Sequence, residues 1–371
     1  MNYEDLIYIS EELGNSLKRT QVSSGDIVIS QRGSLGQCAI VDDAFEKMNI
    51  SANIIAIKNI RESSTTFIHD YILSIVGQTL LERNVSGQVQ QKVTTQDIAD
   101  IMIPIGCDER RLSEVIKLGY YNYKNLLAKS TVSLIDFEKK IAVHFNLENN
   151  KSNRLCFAIH LKDLDGVIDA KRYGAIAATK QTLVMANVFD IVEEKVNVTR
   201  YGKQVIDWIR IDDLPNQPLD IEEIRTQPAN EVEGTFFEVQ EGDILVARLG
   251  PTILNQKIVM VRSLERTTIA SAEFLVLRCK PGYDPEAVMA VLKTGYYRDL
   301  MYSHARGSTP SRYRLNREDM LKLPFPDISE HQEQLATEAN AIRNKVKEMR
   351  AQAEQEWQEA KKQFEKKLLG E

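Results

Sequence analysis

The sequence predicts a mixed α+β fold: two tandem globular domains separated by two long helices that pack as an antiparallel coiled coil. Three observations predict it. From Ser329 to the C-terminus, Leu335, Ala339, Ile342, Val346, Met349, Ala353, Trp357, Ala360, Phe364 and Leu368 advance by fours and threes, the seam that two long packed helices need. Upstream, Leu112, Ile116, Gly119, Tyr123, Leu126, Ser130, Leu134, Phe137 and Ile141 advance by the same steps. The segments ahead of the two seams also repeat in the same order, which is the mark of a tandem duplication.

The first repeated pair is GDIVISQRGSLGQCAIV (Gly25–Val41) and GDILVARLGPTILNQKIVMV (Gly242–Val261). Each reads as a Gly-Asp turn, a strand, a polar loop and a second strand. NISANIIAIK (Asn49–Lys58) matches TIASAEFLVLR (Thr268–Arg278), a polar lead into another strand. Short helices follow over Thr66–Leu81 and Asp284–Met301. A third pair, SGQVQQKVTTQDIADIMIPI (Ser86–Ile105) and RGSTPSRYRLNREDMLKLPFP (Arg306–Pro326), ends with Pro104 and Pro324 in register. The long helices start next, with Asp108 as the cap of the first and Ser329 with Gln332 as a capping box for the second. Both seams carry two successive fours, at Leu126–Ser130–Leu134 and Met349–Ala353–Trp357, a stutter that relaxes a supercoil.

These marks divide the chain into residues 1–106, an N-terminal globular domain; 107–148, the first long helix; 149–326, a C-terminal globular domain; and 327–371, the second long helix. The front of the first repeat is incomplete. Asp5–Ile9 (DLIYI) resembles Asp207–Ile211 (DWIRI), so the first copy lacks what Asn149–Val205 supplies to the second. Two explanations stay open, a shortened first domain or an upstream stretch outside this sequence.

Composition narrows the chemistry. The chain has 371 residues, 43% of them hydrophobic and 27% charged, the balance of a globular protein. No apolar run approaches the roughly 20 residues that span a bilayer, and the N-terminus does not read as a signal peptide. Cys38, Cys107, Cys156 and Cys279 are scattered, which fits reduced thiols in the cytoplasm. The net charge of −6 argues against polyanion binding over the whole surface but leaves room for a local basic site. There is no GxxxxGK[ST] loop, GxGxxG turn, HExxH helix or GxSxG elbow. Adjacent carboxylates such as Asp212–Asp213, and the acidic runs Asp220–Glu223 and Glu231–Glu241, read as solvated surface. The chain reads as a binder, with no catalytic residue, no metal site and no cofactor of its own.

Binding chemistry concentrates at corresponding places in the two repeats. His304–Arg317 carries Arg306, Arg312 and Arg314 among Ser308, Thr309 and Tyr313, with no acidic residue; its counterpart offers Gln88, Gln90, Gln91 and Lys92. The strand–loop–strand segments add Gln31, Arg32, Ser34 and Gln37 in one repeat and Arg248, Asn255, Gln256 and Lys257 in the other. Arginine suits guanine and phosphate, and glutamine the adenine edge, because their forked groups bond in pairs. A helix over Ser329–Lys367 is about 58 Å long, against about 34 Å per turn of B-form DNA. The expected packing contacts are Leu112, Ile116, Leu126, Leu134, Phe137 and Ile141 against Leu335, Ile342, Val346, Met349, Trp357 and Phe364.

The two GD segments, LKLPFPD with the EHQEQLATEANAI helix start, and LDGVIDAKRYG (Leu164–Gly174) resemble the specificity subunit of type I restriction–modification systems. The resemblance covers almost the whole chain. It implies that each globular domain is a target recognition domain reading half of a bipartite DNA site. The helices would set the spacer and dock methyltransferase subunits, and the complex would recruit the restriction subunit. S-adenosylmethionine, ATP and magnesium would belong to those partners. Two alternatives stand beside it: a coiled-coil assembly protein whose globular units bind protein, and the recognition module of a fused restriction–methylation enzyme.

Overall fold

Each Gly-Asp pair makes a tight turn that launches a strand. Gly25 and Gly242 take positive φ, 84° and 86°, where a side chain is strained. The next carboxylate closes the turn: Asp26 Oδ2 accepts from the Ser23 amide and Asp243 Oδ2 from the Gln240 amide, both at 2.9 Å. The computed structural model describes residues 7–31, 36–43, 48–84, 92–104, 108–147, 183–222 and 224–370. The chain divides into unit 1, Met1–Ala128 with Met349–Glu371, and unit 2, Lys129–Glu348.

Unit 1 contains α1 (Glu11–Ser16), β1 (Gln21–Val22), β2 (Ile27–Ser30), β3 (Cys38–Ile40), β4 (Met48–Asn49), β5 (Ile54–Ile57), α2 (Thr65–Leu73), α3 (Ile75–Asn84), α4 (Thr95–Ala99) and the first part of α5 (Glu109–His144). Its central sheet is antiparallel in the order β3-β2-β5, and β1 pairs with β4. Ile27 and Ile29 of β2 are fully buried beneath Phe67, Tyr71 and Ile72 of α2.

Unit 2 contains β6 (Leu183–Val184), α6 (Met185–Val188), β7 (Phe189–Ile191), β8 (Lys195–Val196), β9 (Val205–Ile209), β10 (Arg225–Pro228), β11 (Phe236–Glu238), β12 (Ile244–Ala247), α7 (Gly250–Leu254), β13 (Ile258–Met260), β14 (Thr268–Ser271) and β15 (Phe274–Cys279). Then come α8 (Pro285–Leu292), α9 (Gly295–His304), α10 (Arg317–Lys322), β16 (Pro324–Phe325) and α11 (Gln332–Leu369). One sheet runs β13-β12-β15-β7, a second β10-β9-β14-β11-β8, and β16 pairs with β6.

The duplication is visible in the registers. Ile27 faces Ile40 on one side and Ile57 on the other; Ile244 faces Met260 and Leu277. Gln21 pairs with Asn49 as Glu238 pairs with Ile269. The caps correspond as well. Ser64 Oγ accepts from the Phe67 amide at 3.0 Å, and Asp284 Oδ1 from the Glu286 amide at 2.8 Å. Thr94 and Asn316 cap α4 and α10 in the same way, holding the amide that the helix itself leaves free. Unit 2 alone has β7 on the outer side of β15 and β9 parallel to β14. The described residues of unit 1 carry no strand at either place. Ile7–Ile9, the described part of the Asp5–Ile9 segment that the sequence matches to β9, belongs to no strand, with Ile7 91% and Tyr8 82% exposed.

Both long helices contribute to both units, and their seams fall on buried or half-buried positions throughout. In unit 1, Leu112 and Ile116 of α5 join Phe364 of α11 in the core, Trp357 packs on Tyr120 and Tyr123, and a Cβ on Gly119 would lie 2.2 Å from the Ala360 Cβ. In unit 2, Leu335, Ala336 and Ala339 of α11 join Ile141 and Phe145 of α5, with Lys140 Nζ 2.6 Å from Glu338 Oε2. Later positions on α5 meet earlier positions on α11 in each unit, so the pairing is antiparallel. Each unit is therefore closed by the first half of its own repeat's helix and the last half of the other's. A glutamate from that second helix caps the same short helix in each: the Ile75 amide donates to Glu365 at 2.7 Å, and the Gly295 amide to Glu138 at 2.5 Å. A carboxylate at a helix N-terminus meets free N–H groups and the positive end of the dipole.

Two expectations differ in detail. Asp108 does accept from the Arg111 amide at 3.2 Å, but Ser329 and Gln332 form no capping box. Ser329 bonds to Asp327 through its amide and hydroxyl, and the Gln332 amide group bridges Gly282 O and Asp284 N, so α11 starts at Gln332. Asp220, read as solvated, is buried beside Arg262 and Arg343. The same two arginines hold Glu286, whose carboxyl burial pushes up and Arg262 pulls back down.

Candidate nucleic-acid interface

The end of β12 is the anchor of the polar cluster in unit 2. Arg248 donates its N–H to Glu273 O at 3.1 Å and accepts from the Leu315 amide at 2.9 Å. Arg306 and Arg314 exchange backbone hydrogen bonds at 3.0 and 2.8 Å, and the Gly250 amide donates to Tyr313 O at 2.7 Å. The fully buried Leu315 nails the loop down, and Tyr313 packs on Tyr302. Gly307 is obligatory here, because a Cβ would come within 2.4 Å of Arg312 O. Residues 306–314 are thereby held edge-on to the strand end, with Arg306, Ser308, Thr309, Arg312 and Arg314 exposed.

The charges on this loop are not equivalent. Arg314 Nη2 donates to Glu273 Oε1 at 2.7 Å, and Arg306 Nη2 to the buried Asp319 at 3.3 Å. Arg312, on a short 3-10 turn over Pro310–Arg312, has no acidic partner among the described residues. Thr309 and Ser311 share a hydroxyl–hydroxyl hydrogen bond at 3.2 Å. Buried without a partner next to the loop are Glu273 Oε2 and Arg248 Nε, which marks a carboxylate and a guanidinium with bonding capacity to spare.

Asn255, Gln256 and Lys257 do not join this group. They sit past the far end of α7, turned into unit 2. Gln256 is 6% exposed at φ 46°, with Nε2 donating to Lys293 O at 2.7 Å. Lys257 Nζ donates to Ile211 O at 3.0 Å, and Asn255 O accepts from the Gln217 amide. The side chains of Gln256 and Lys257 thus bond to backbone carbonyls within unit 2, apart from the group at the strand end.

Unit 1 builds the same anchor. Gln31, just past β2, donates its N–H to Asn53 O at 2.8 Å and accepts from the Val93 amide at 3.1 Å. Val93 is fully buried, so Lys92 is set beside Gln31 as Arg314 is beside Arg248. Gln37 is exposed, its carbonyl accepting from Ser30. Arg32, Ser34, Gln88, Gln90 and Gln91 lie outside the described residues. Sequence reasoning passed over Asn53 and Glu273, although both occupy the same place in the matched segments Asn49–Lys58 and Thr268–Arg278 and both are polar. In the sequence alone an acidic residue carries no signal that it belongs to a site defined by its cations.

Among the described residues, no group of three or more His, Cys, Asp or Glu is placed to hold a metal ion, and no helix is long and apolar enough to cross a membrane. No family model and no curated protein matches the sequence. Solved structures do. The chain is similar to specificity subunits of type I restriction–modification systems. One match is the HsdS subunit from Thermoanaerobacter tengcongensis, 13% identical at a TM-score of 0.34, covering 94% of this chain and 80% of that one. Another is the type I S subunit from M. genitalium, 13% identical at 0.39, covering 94% and 83%. A third comes from a structure of complex assembly and conformational transition of the type I R-M system, 14% identical at 0.44, covering 94% and 81%.

Proposed function

We propose that this chain is the non-catalytic DNA sequence-recognition subunit of a type I restriction–modification complex, acting in the cytoplasm. It reads a bipartite target in double-stranded DNA and docks methyltransferase and restriction subunits. S-adenosylmethionine, ATP and magnesium sit on those partners. The observation that carries the reading is the repeated anchor: a strand end, a polar residue leading the next strand, and a cationic residue just ahead of a buried apolar one, joined by the same two backbone hydrogen bonds in both units. A fold that copies a surface cluster with its supports, while changing the side chains, suits two readers of two different half-sites. The sequence resemblance adds the long helices as the spacer between them.

The test is retention of duplex DNA by the chain assembled with its methyltransferase partner, followed by mapping of methylated adenines. Selection of one split motif supports the reading. A complex that forms yet retains no DNA overturns it and favours an assembly protein whose units bind protein.

A further inference from the structure

The two anchors put three side chains at matching places, and their chemistry differs in a way that points to what each reads. In unit 1 they are Gln31, Asn53 and Lys92. In unit 2 they are Arg248, Glu273 and Arg314. The backbone frame is the same in both: the first residue bonds through its N–H to the second residue's carbonyl, and through its carbonyl to the amide that follows the third. Four hydrogen bonds of 2.8, 3.1, 3.1 and 2.9 Å thus fix six positions, and the buried Val93 and Leu315 lock the third in each set.

On that frame the side chains vary freely. Unit 1 presents two carboxamides and an ammonium group, and none of the three has a side-chain partner among the described residues. Unit 2 presents two guanidinium groups around one carboxylate. Glu273 grips one edge of Arg314, which stays 54% exposed, and the second carboxylate oxygen has no partner. A carboxylate against one edge of a guanidinium fixes its plane while leaving other N–H groups outward. A fixed guanidinium fork matches O6 and N7 of guanine, whereas a carboxamide matches N6 and N7 of adenine.

Resting on the DNA-recognition reading above, the geometry points to these six residues as the positions that set base choice. Arg314, positioned by Glu273, reads a guanine in the half-site of unit 2. Gln31 reads an adenine in the half-site of unit 1. Glu273 is a positioning residue, since its effect runs through Arg314.

The experiment uses the full chain assembled with its methyltransferase partner, selecting duplexes from a library randomised over both half-sites. Three chains are compared: the unaltered one, Glu273→Gln, and a transplant carrying Gln31→Arg, Asn53→Glu and Lys92→Arg. The unaltered chain should select a guanine in one half-site and an adenine in the other. Glu273→Gln should lower the preference for that guanine about tenfold or more, within the range of one bidentate base contact, while total affinity for random duplex changes little. The transplant should replace the adenine preference in the first half-site and leave the second intact. If the unaltered chain selects a motif and both variants select the same one, the six positions are wrong and DNA recognition stands. If the unaltered chain selects no motif, the recognition reading itself falls. Thermal unfolding of each variant is measured alongside, and Arg314→Lys, which keeps the charge and loses the fork, replaces any variant that fails to fold. Loss of the guanine preference in Arg314→Lys supports the assignment and its retention overturns it.

Discussion

Arg312 differs from its neighbours because, among the described residues, no carboxylate directs it. Arg306 and Arg314 are each held by a carboxylate, while Arg312 is exposed on a 3-10 turn. An undirected cation contributes to phosphate binding without reading sequence. Arg312→Ala should therefore weaken binding about equally for every duplex, and flatten the log–log salt dependence by about one unit; a filter-binding series across salt concentration checks it. A loss confined to one sequence would make Arg312 a base reader instead. The cysteines behave differently again. Burial, with Asp70 adding to it, pushes the Cys38 thiol up to about 12; burial, then Asp284 and Asp243, does the same for Cys279. At pH 8 only about one such thiol in ten thousand is ionised, and the thiolate is the nucleophile. Both should resist iodoacetamide at pH 8 until the protein is denatured, as peptide mass spectrometry would read. At this scale the sequence displayed the loop arginines by composition alone. It could not display that Gln256 turns inward, because a left-handed residue at the end of α7 and a carbonyl from Lys293 are tertiary facts.

The seams of α5 and α11 were legible because a helix repeats its faces locally, so fours and threes translate directly into burial. Helix starts were less so. Ser329 and Gln332 satisfy the spacing of a capping box, yet Asp327 offers Ser329 a charged acceptor and the turn before α8 offers Gln332 two partners. Gly119 tests the seam. Alanine in an exposed helix gains up to about 1 kcal/mol over glycine, but here its Cβ would stand 2.2 Å from that of Ala360. Overpacking costs about 1–3 kcal/mol, so Gly119→Ala should lower the melting temperature instead of raising it. A stabilised variant would show that the helices lie further apart than 2.2 Å allows. The start of α5 has a pH signature. The Ser64 amide first, then the hydroxyls of Ser63 and Ser64, hold the Glu109 carboxyl below its usual value. Its folded pKa is depressed, so its contribution is complete above the ordinary carboxylate value and is lost as pH falls through the depressed one. Glu109→Gln should destabilise the protein more at pH 7 than in acid, by denaturant titration at both.

For the whole chain, the order of motifs made the duplication readable. The exchange of helix halves was not. Nothing in a seam says which partner it faces, and the halves sort only when Phe364 fills the core of unit 1 and Ile141 that of unit 2. This exchange changes how the spacer has to be tested. Removing four residues from one helix would put its seam out of step with a partner whose contacts are fixed in both units. The matching stutters mark corresponding stretches, residues 125–131 with Leu126 and Ser130 and residues 347–353 with Met349 and Ala353. Deleting both stretches removes about two turns, or about 10.5 Å, from each helix. It leaves each seam advancing by fours and threes, since Tyr123 is then followed by Leu134 and Val346 by Trp357. A rotation of about 20° remains from the mismatch between seven residues and two turns. If the helices are the ruler, the two half-sites keep their sequences and approach by about three base pairs, at about 3.4 Å per pair. Methylated-adenine mapping with the assembled complex reads both quantities at once. Shorter spacing with unchanged half-sites supports the ruler, and unchanged spacing in a folded, DNA-binding complex removes it.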